Sequence, residues 1–271
     1  MKQSAVLSLI LFTMISFPGC IVQKSVYPAP SLEVPSPAPS PLREIRLTTD
    51  SRLTVTGWEF RNENLPGNMP VVLYLHGNAE NLATLRQSGQ FALLQMLNVH
   101  FVALDYPGYG RSEGKPSEKS VGEACDVFLK WVQSQYPDNP RIVCGWSLGA
   151  AAAITCAAAN PDAVDGLIAV SGWTSLHDVA SQFYPSWLVK IVVRDVYPSI
   201  STIQKISCPV LIIHGKNDRL IPFNQGKRLA EASPGCRFVP VPGRAHNDLL
   251  SDPAVWESIG EFMRQNLREQ E

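Results

Sequence analysis

Between Leu42 and Glu271 short apolar runs alternate with longer segments of helical period, and that alternation restricts the chain to an α/β fold with a mainly parallel sheet. The spacing predicts strands at Glu44–Leu47, Leu53–Trp58, Val71–Leu75, Val99–Leu104, Arg141–Cys144, Gly166–Val170, Val210–Ile213 and Arg237–Val241. Asp50-Ser51 makes a turn between the first two, which are expected to form an antiparallel hairpin. Helices are expected over Leu82–Leu97, Ser120–Gln135, Leu148–Ala159, Phe223–Ala232 and Pro253–Leu267. With 45% apolar residues the chain can bury a sizeable core. Its 23 basic and 24 acidic side chains leave a net charge of -1, which offers no field for gripping a phosphate backbone, so nucleic acid is not an expected partner.

Two segments ahead of that domain read as processing and spacing. Lys2 is followed by Ala5 to Phe17, an uncharged run of 13 residues. That is too short to span a bilayer, which takes ~20 apolar residues, and it reads as a signal peptide over residues 1–19. It ends in Phe17-Pro18-Gly19-Cys20, which resembles a bacterial lipobox, where a small residue precedes a Cys that is diacylated. Gly19 and Cys20 fit that pattern; Phe17 and Pro18 depart from it. The expectation is an extracytoplasmic lipoprotein anchored to a membrane of the bacterial envelope through Cys20; the alternative is an ordinary secretory signal and a secreted or periplasmic soluble protein. Pro28, Pro30, Pro35, Pro37, Pro39 and Pro41 follow, spaced by Ser, Ala and a few other residues, and sustain neither helix nor sheet ladder. Residues 20–41 therefore read as a tether, with a reach of ~65 Å if it were polyproline II at ~3.1 Å per residue, and the folded domain as 42–271.

In open parallel sheets the chemistry gathers at the C-terminal ends of the strands. Four such ends carry reactive side chains. Gly145-Trp146-Ser147-Leu148-Gly149 is a G-x-S-x-G between a strand and an Ala-rich helix, the context in which a nucleophilic Ser sits on a tight turn and the helix N-terminus favours a developing oxyanion. The plain reading of the same residues is a Gly-rich helix start with a capping Ser. Asp218 follows the strand ending at Ile213, and His246 follows the strand ending at Val241. An isolated Asp in a turn is most often a cap, and an isolated His an ordinary core or surface residue. Here Ser, Asp and His occur in the chain order of one hydrolytic triad, each beyond a different strand, and their coincidence favours catalysis over three separate structural roles. Asp248 and Asp252 are competing carboxylates, but Asp248 stands too near His246 along one loop to orient its ring. The fourth end, Leu75-His76-Gly77-Asn78-Ala79, has the small residues of an oxyanion-hole loop, in which the amide of Asn78 would join that of Leu148; Ala79 is the alternative donor, and His76 reads as structural.

These segments carry a family resemblance. LHGNAENL at Leu75–Leu82, DYPGYGRSEG at Asp105–Gly114, GWSLGA at Gly145–Ala150, CPVLIIHGKNDRLIP at Cys208–Pro222 and PGRAHNDL at Pro242–Leu249 resemble the α/β-hydrolases, most closely the compact serine hydrolases that include serine aminopeptidase-like proteins and protein depalmitoylases. The resemblance spans nearly the whole domain. It implies the α/β-hydrolase fold, with an eight-stranded, mostly parallel sheet flanked by helices and a short helical cap over residues 173–207. It also implies a serine hydrolase that needs no cofactor and cleaves carboxylic esters or thioesters of a small-molecule or lipid-like acyl substrate through an acyl-enzyme on Ser147, with Asp218 and His246. Glu80 and Arg244 depart from the family pattern and stand where substrate choice could be set. An aminopeptidase or amidase would want acids near the pocket, for which Asp178 and Asp195 are the candidates; a catalytically silent binding scaffold is the other alternative, and retention of all three triad residues argues against it.

Other features carry less. Gly108 to Gly114 imitates a dinucleotide fingerprint with its third Gly one residue late. The five His and six Cys show no metal-binding spacing. Cys208 and Cys236 stand at the entrances of two strands expected to be neighbours, and either bridge or stay free; Cys125, Cys144 and Cys156 sit in apolar settings and are expected to stay reduced. The cap carries Phe183, Tyr184, Trp187, Leu188, Val189, Ile191, Val192, Val193 and Tyr197; more than half of that apolar surface is expected to bury against the core, while the remainder walls an acyl pocket.

Overall fold

The computed structural model describes residues 26–268. Strand β1 (Arg43–Thr48) pairs antiparallel with β2 (Thr54–Phe60), then β3 (Val71–Leu75) leads to helices α1 (Leu82–Gln87) and α2 (Gln90–Met96) and to β4 (His100–Leu104). Helix α3 (Glu118–Gln135), β5 (Arg141–Trp146), α4 (Leu148–Ala159) and β6 (Gly166–Val170) follow. The cap comprises α5 (Leu176–Ala180), α6 (Ser186–Val192), α7 (Ser199–Thr202) and a 3-10 turn, Ile203–Lys205. The chain closes with β7 (Val210–Gly215), α8 (Phe223–Glu231), β8 (Arg237–Val241) and α9 (Pro253–Arg268).

The sheet has eight strands in the order β1-β2-β4-β3-β5-β6-β7-β8, parallel from β4 to β8, as the sequence predicts. β1 and β2 extend it as the expected hairpin, β2 running antiparallel to β4. The inner strands read as unbroken apolar runs because both their faces are covered. Val71, Leu73 and Leu75 join one buried cluster with α3 and α4, while Val72 and Tyr74 join the other with α1, α2 and α9. From β3 the chain moves to β4 on one side and, through α3, to β5 on the other, so the reversal opens at the C-terminal ends of β3 and β5.

Two expectations are corrected here. The helix expected over Leu82–Leu97 is two helices, because Gly89 takes a φ of 81° that an uninterrupted helix cannot hold. The tether expected over 20–41 does not stand clear of the domain where it is described: residues 26–41 lie along it. Tyr27 and Val34 are buried, the Tyr27 hydroxyl donates to Asp195 at 2.6 Å, and the side-chain amides of Asn78 and Asn81 donate to the carbonyls of Val26 and Leu32. The prolines exclude helix and ladder, but the apolar residues between them find core positions and their carbonyls remain free to accept. The nine cap residues named above bury more than half of their surface, as expected, but unevenly. Of those nine, Val189 and Tyr197 are buried and Leu188, Val192 and Val193 half-buried, whereas Phe183, Tyr184, Trp187 and Ile191 are more than half exposed. Of the two states left open for Cys208 and Cys236, they are found free, like the three buried cysteines. The β7–β8 register sets Arg237 beside Leu211, which leaves Cys236 level with Val210 and Cys208 two residues beyond it, ~6.6 Å along the strand.

Cys20 and the segment read as a signal peptide lie outside the described residues. Among the described residues no helix is long and apolar enough to cross a membrane.

Candidate active site

β5 runs to Trp146 and α4 begins at Leu148, so Ser147 is the entire connection. Its backbone is forced to φ 57° and ψ -114°, a strained conformation for a residue with a side chain. The crowding explains the flanking glycines: a β-carbon on Gly145 would run into the carbonyl of Gly149, and one on Gly149 into that of Leu75. The Ser147 amide is tied to the Val170 carbonyl at the end of β6, 2.9 Å away. The turn therefore presents the Ser147 hydroxyl outward from the sheet, beside the N-terminus of α4.

The loops after β7 and β8 bring the other two predicted residues to it. His246 Nε2 lies 3.0 Å from Ser147 Oγ, and His246 Nδ1 lies 2.7 Å from Asp218 Oδ2. All three side chains are nearly buried, 5 to 6% exposed. Asp218 Oδ1 accepts the amides of Leu220 at 3.0 Å and Ile221 at 2.8 Å. Burial pushes the Asp218 carboxyl up, but the hydrogen bonds from His214 and His246, the His246 charge and the Ile221 amide together outweigh it and hold Asp218 well below the usual carboxylate range. An ionised Asp218 accepts from Nδ1–H of His246, which leaves Nε2 free to accept from the Ser147 hydroxyl.

The loop after β3 faces the same point. Asn78 and Leu148 line one cavity of about 320 Å³ with Ser147. The Asn78 side chain is fixed from three sides: Oδ1 accepts from the Tyr109 hydroxyl at 2.7 Å and from the Ala79 amide at 3.2 Å, and Nδ2 donates to the Val26 carbonyl at 2.5 Å. Glu80 braces the loop by accepting from the Gly77 amide and from Gln90 Nε2, each at 2.8 Å; burial raises its carboxyl above the ordinary range against those two hydrogen bonds. His76 is sealed beneath the loop, its ring 4.2 Å from that of Tyr106, and burial lowers it to about 4, so it stays neutral and structural.

Beyond these groups the cavity wall is apolar: Trp173, Leu176, Val179, Tyr184, Leu188, Val189, Val192 and Val193 from the cap, Leu220 and Ile221 after β7, and Val26 from the N-terminal segment. Arg244 turns away from the site, with Nε 2.7 Å from Asp252 Oδ2, and Asp248 accepts the Ala245 amide; none of these three reaches His246. Asp178 and Asp195 are likewise engaged, by the hydroxyls of Thr174 and Tyr27, and neither lines the cavity. The Gly108–Gly114 segment is structural: Ser112 accepts the Thr56 amide and donates to the Asp105 carbonyl.

Two contributors to the site escape the sequence reading. Trp146 stacks on His246 with ring centroids 5.3 Å apart, an aromatic inside the G-x-S-x-G whose role no spacing reveals. Val26 was hidden in the proline-rich stretch, where the only available signal was its aromatic neighbour Tyr27 in a segment otherwise suited to a linker.

This fold, with a strained Ser turn between its central strand and helix, defines the chain as a member of the α/β-hydrolase superfamily. Residues 68–202 match the family model described as Serine aminopeptidase, S33. An uncharacterized protein of Mycobacterium tuberculosis is 31% identical over 269 residues, covering 96% of this chain and 93% of that one. The lysophosphatidylserine lipase ABHD12 of Danio rerio is 28% identical over 235 residues, covering 76% of this chain and 61% of its own. Among solved structures, the Pyrococcus furiosus esterase Pf2001 superposes with a TM-score of 0.71 at 21% identity, over 88% of this chain and 99% of the esterase, a likeness of fold.

Proposed function

We propose that the protein is a serine hydrolase that cleaves carboxylic esters or thioesters of apolar acyl groups. The observation that carries this reading is the hydrogen-bonded series Ser147, His246, Asp218 at the edge of an apolar cavity. In the proposed reaction His246 Nε2 takes the Ser147 proton as Oγ attacks the acyl carbon, and Asp218 holds the ring and stabilises its charged form. The carbonyl oxygen becomes an oxyanion between the amides of Asn78 and Leu148. Asn78 is preferred to Ala79 because the Ala79 amide is already taken by Asn78 Oδ1. His246 then protonates the leaving alcohol or thiol, and water, deprotonated by the same ring, releases the acid from Ser147. Esters and thioesters are favoured over aminoacyl substrates because the two acids that could capture a free amine are engaged elsewhere. The esterase and lipase relatives agree with ester hydrolysis.

The test is labelling with a fluorophosphonate. The intact chain should be modified on Ser147, and a chain that is not modified at all would be a binding scaffold. Assaying acyl esters, acyl thioesters and aminoacyl amides side by side then separates the substrate classes.

For placement we propose diacylation at Cys20, supported by the uncharged run Ala5–Phe17 and by Gly19-Cys20. Mass spectrometry of the mature N-terminus should find a lipidated Cys20; an unmodified terminus would leave the secreted or periplasmic alternative.

A further inference from the structure

The outer face of the cap has no role in the proposed reaction and is unlike the rest of the surface. Phe183, Tyr184, Trp187 and Ile191 are 57%, 55%, 61% and 72% exposed. Helix α6 has two apolar sides. Leu188, Val189 and Val192 face the cavity, while Trp187 and Ile191, one turn apart, face solvent. Tyr184 and Leu220 belong to both surfaces, since each is exposed and each lines the cavity, so the patch is continuous with the cavity mouth. A single exposed apolar side chain is ordinary; a contiguous group around an opening marks an interaction surface.

We propose that this face is a membrane-docking surface that seats the mouth of the cavity on a phospholipid bilayer. The choice of a bilayer rests on composition, charge and chain length. Trp and Tyr with neighbouring aliphatic residues form the set that settles at the headgroup level. From Ser181 to Arg194 the charged residues are Lys190 and Arg194, with no acid among them, and Arg219 precedes Leu220, so the patch is flanked by the sign that anionic headgroups attract. The third argument comes from where the described chain starts. Val26 is part of the cavity wall, Cys20 stands six residues ahead of it, and at ~3.6 Å per residue the two are at most ~22 Å apart. Whatever holds that end of the chain at a membrane therefore holds the cavity beside it.

On the bilayer, an acyl chain could pass from lipid to cavity without crossing water. That consequence rests on the hydrolase reading of Ser147; the docking itself does not.

The experiment uses the full chain carrying Cys20→Ser, which removes acylation, and Ser147→Ala, which prevents turnover. The probe is vesicles of phosphatidylcholine and phosphatidylglycerol, with and without brominated acyl chains. Trp187 is the exposed one of the six tryptophans, and the N-terminal 25 residues contain none, so bromine quenching reports the cap and not the leader. Binding should be accompanied by quenching, and Trp187→Phe should bind equally while losing the quenched component. Trp187→Gln with Ile191→Gln should weaken vesicle binding roughly tenfold or more. Neither residue lines the cavity, so with Ser147 restored the double variant should hydrolyse a dispersed acetyl ester at the unaltered rate. Vesicle binding that is absent, that survives the double substitution undiminished, or that leaves Trp187 unquenched would overturn the proposal. Absence of esterase activity would instead overturn the hydrolase reading, because the binding measurements use the chain without its Ser147 hydroxyl.

Discussion

Two imidazoles converge on one oxygen of Asp218: Nδ1 of His246 at 2.7 Å and Nε2 of His214 at 3.5 Å. His214 is buried and its Nε2–H donates to the Ile221 carbonyl at 2.8 Å, so it also pins the turn whose amides hold the other carboxylate oxygen. Asp218→Asn should keep the shape but lose the charge that fixes the His246 tautomer, and kcat should fall on the order of 10⁴-fold. An effect under about tenfold would remove Asp218 from the reaction.

The same carboxylate makes a prediction about acid stability. Asp218 is held below its ordinary value when folded, so its stabilising contribution is present above ~3.9, the unfolded value, and is lost as pH falls through the folded one. The difference in Tm between the native chain and Asp218→Asn should be constant above about pH 5 and should shrink below about pH 4. Thermal melts across that range check it, and a difference that widens in acid would contradict the assignment.

Ser147→Ala and His246→Ala should each lower kcat by at least about 10³-fold, and the double variant should be hardly worse than either, because the two groups act as a unit. Steady-state kinetics on one soluble ester suffices. Additive losses would mean that the two side chains contribute separately.

Glu80 is a positioning residue for the loop after β3. Glu80→Ala frees the Gly77 amide and should cost about 1.5–3 kcal/mol where the loop must stay placed. Glu80→Gln keeps an acceptor for Gly77 and should recover most of the loss. Reading kcat and KM separately distinguishes the roles: a misplaced oxyanion donor lowers kcat with little change in KM, whereas a general loss of folding lowers the active fraction and is restored at lower temperature.

The apolar wall predicts a rise in kcat/KM from acetyl to medium-length acyl esters, by at most about fourfold per methylene if each contributes ~0.8 kcal/mol. The series of p-nitrophenyl esters measures this. A steady decline from the shortest chain would refute the apolar acyl pocket and leave the reaction type standing.

The sheet was legible because each inner strand is apolar on both faces and each is closed by Gly, Pro or a polar turn; the inner strands Val71–Leu75 and Gly166–Val170, and the edge strand Arg237–Val241, have the bounds the sequence predicts. Ser147, Asp218 and His246 were legible because strand ends in a parallel sheet point to one edge, so order along the chain becomes proximity in space. What escaped depends on contacts between distant segments. Residue type predicts that the prolines exclude regular structure, yet nothing local to Tyr27 announces Asp195, 168 residues away. Helical period continues through Ser88-Gly89, so only the backbone reveals the break between α1 and α2. Which cap side chains would stay exposed was not legible, because apolar character reports a preference for leaving water and says nothing of whether the domain supplies a partner.

The N-terminal segment bears on where this protein can be cut. A fragment beginning at Leu42, the boundary that composition suggests, would contain every strand together with Ser147, Asp218 and His246. It would also lack Val26 from the cavity wall, leave Asn78 Nδ2 without its acceptor, and uncover the core positions held by Tyr27 and Val34. Such a fragment should report an altered substrate range and lower stability, so the residues that look like packaging set the shortest chain on which substrate preference can be meaningfully measured.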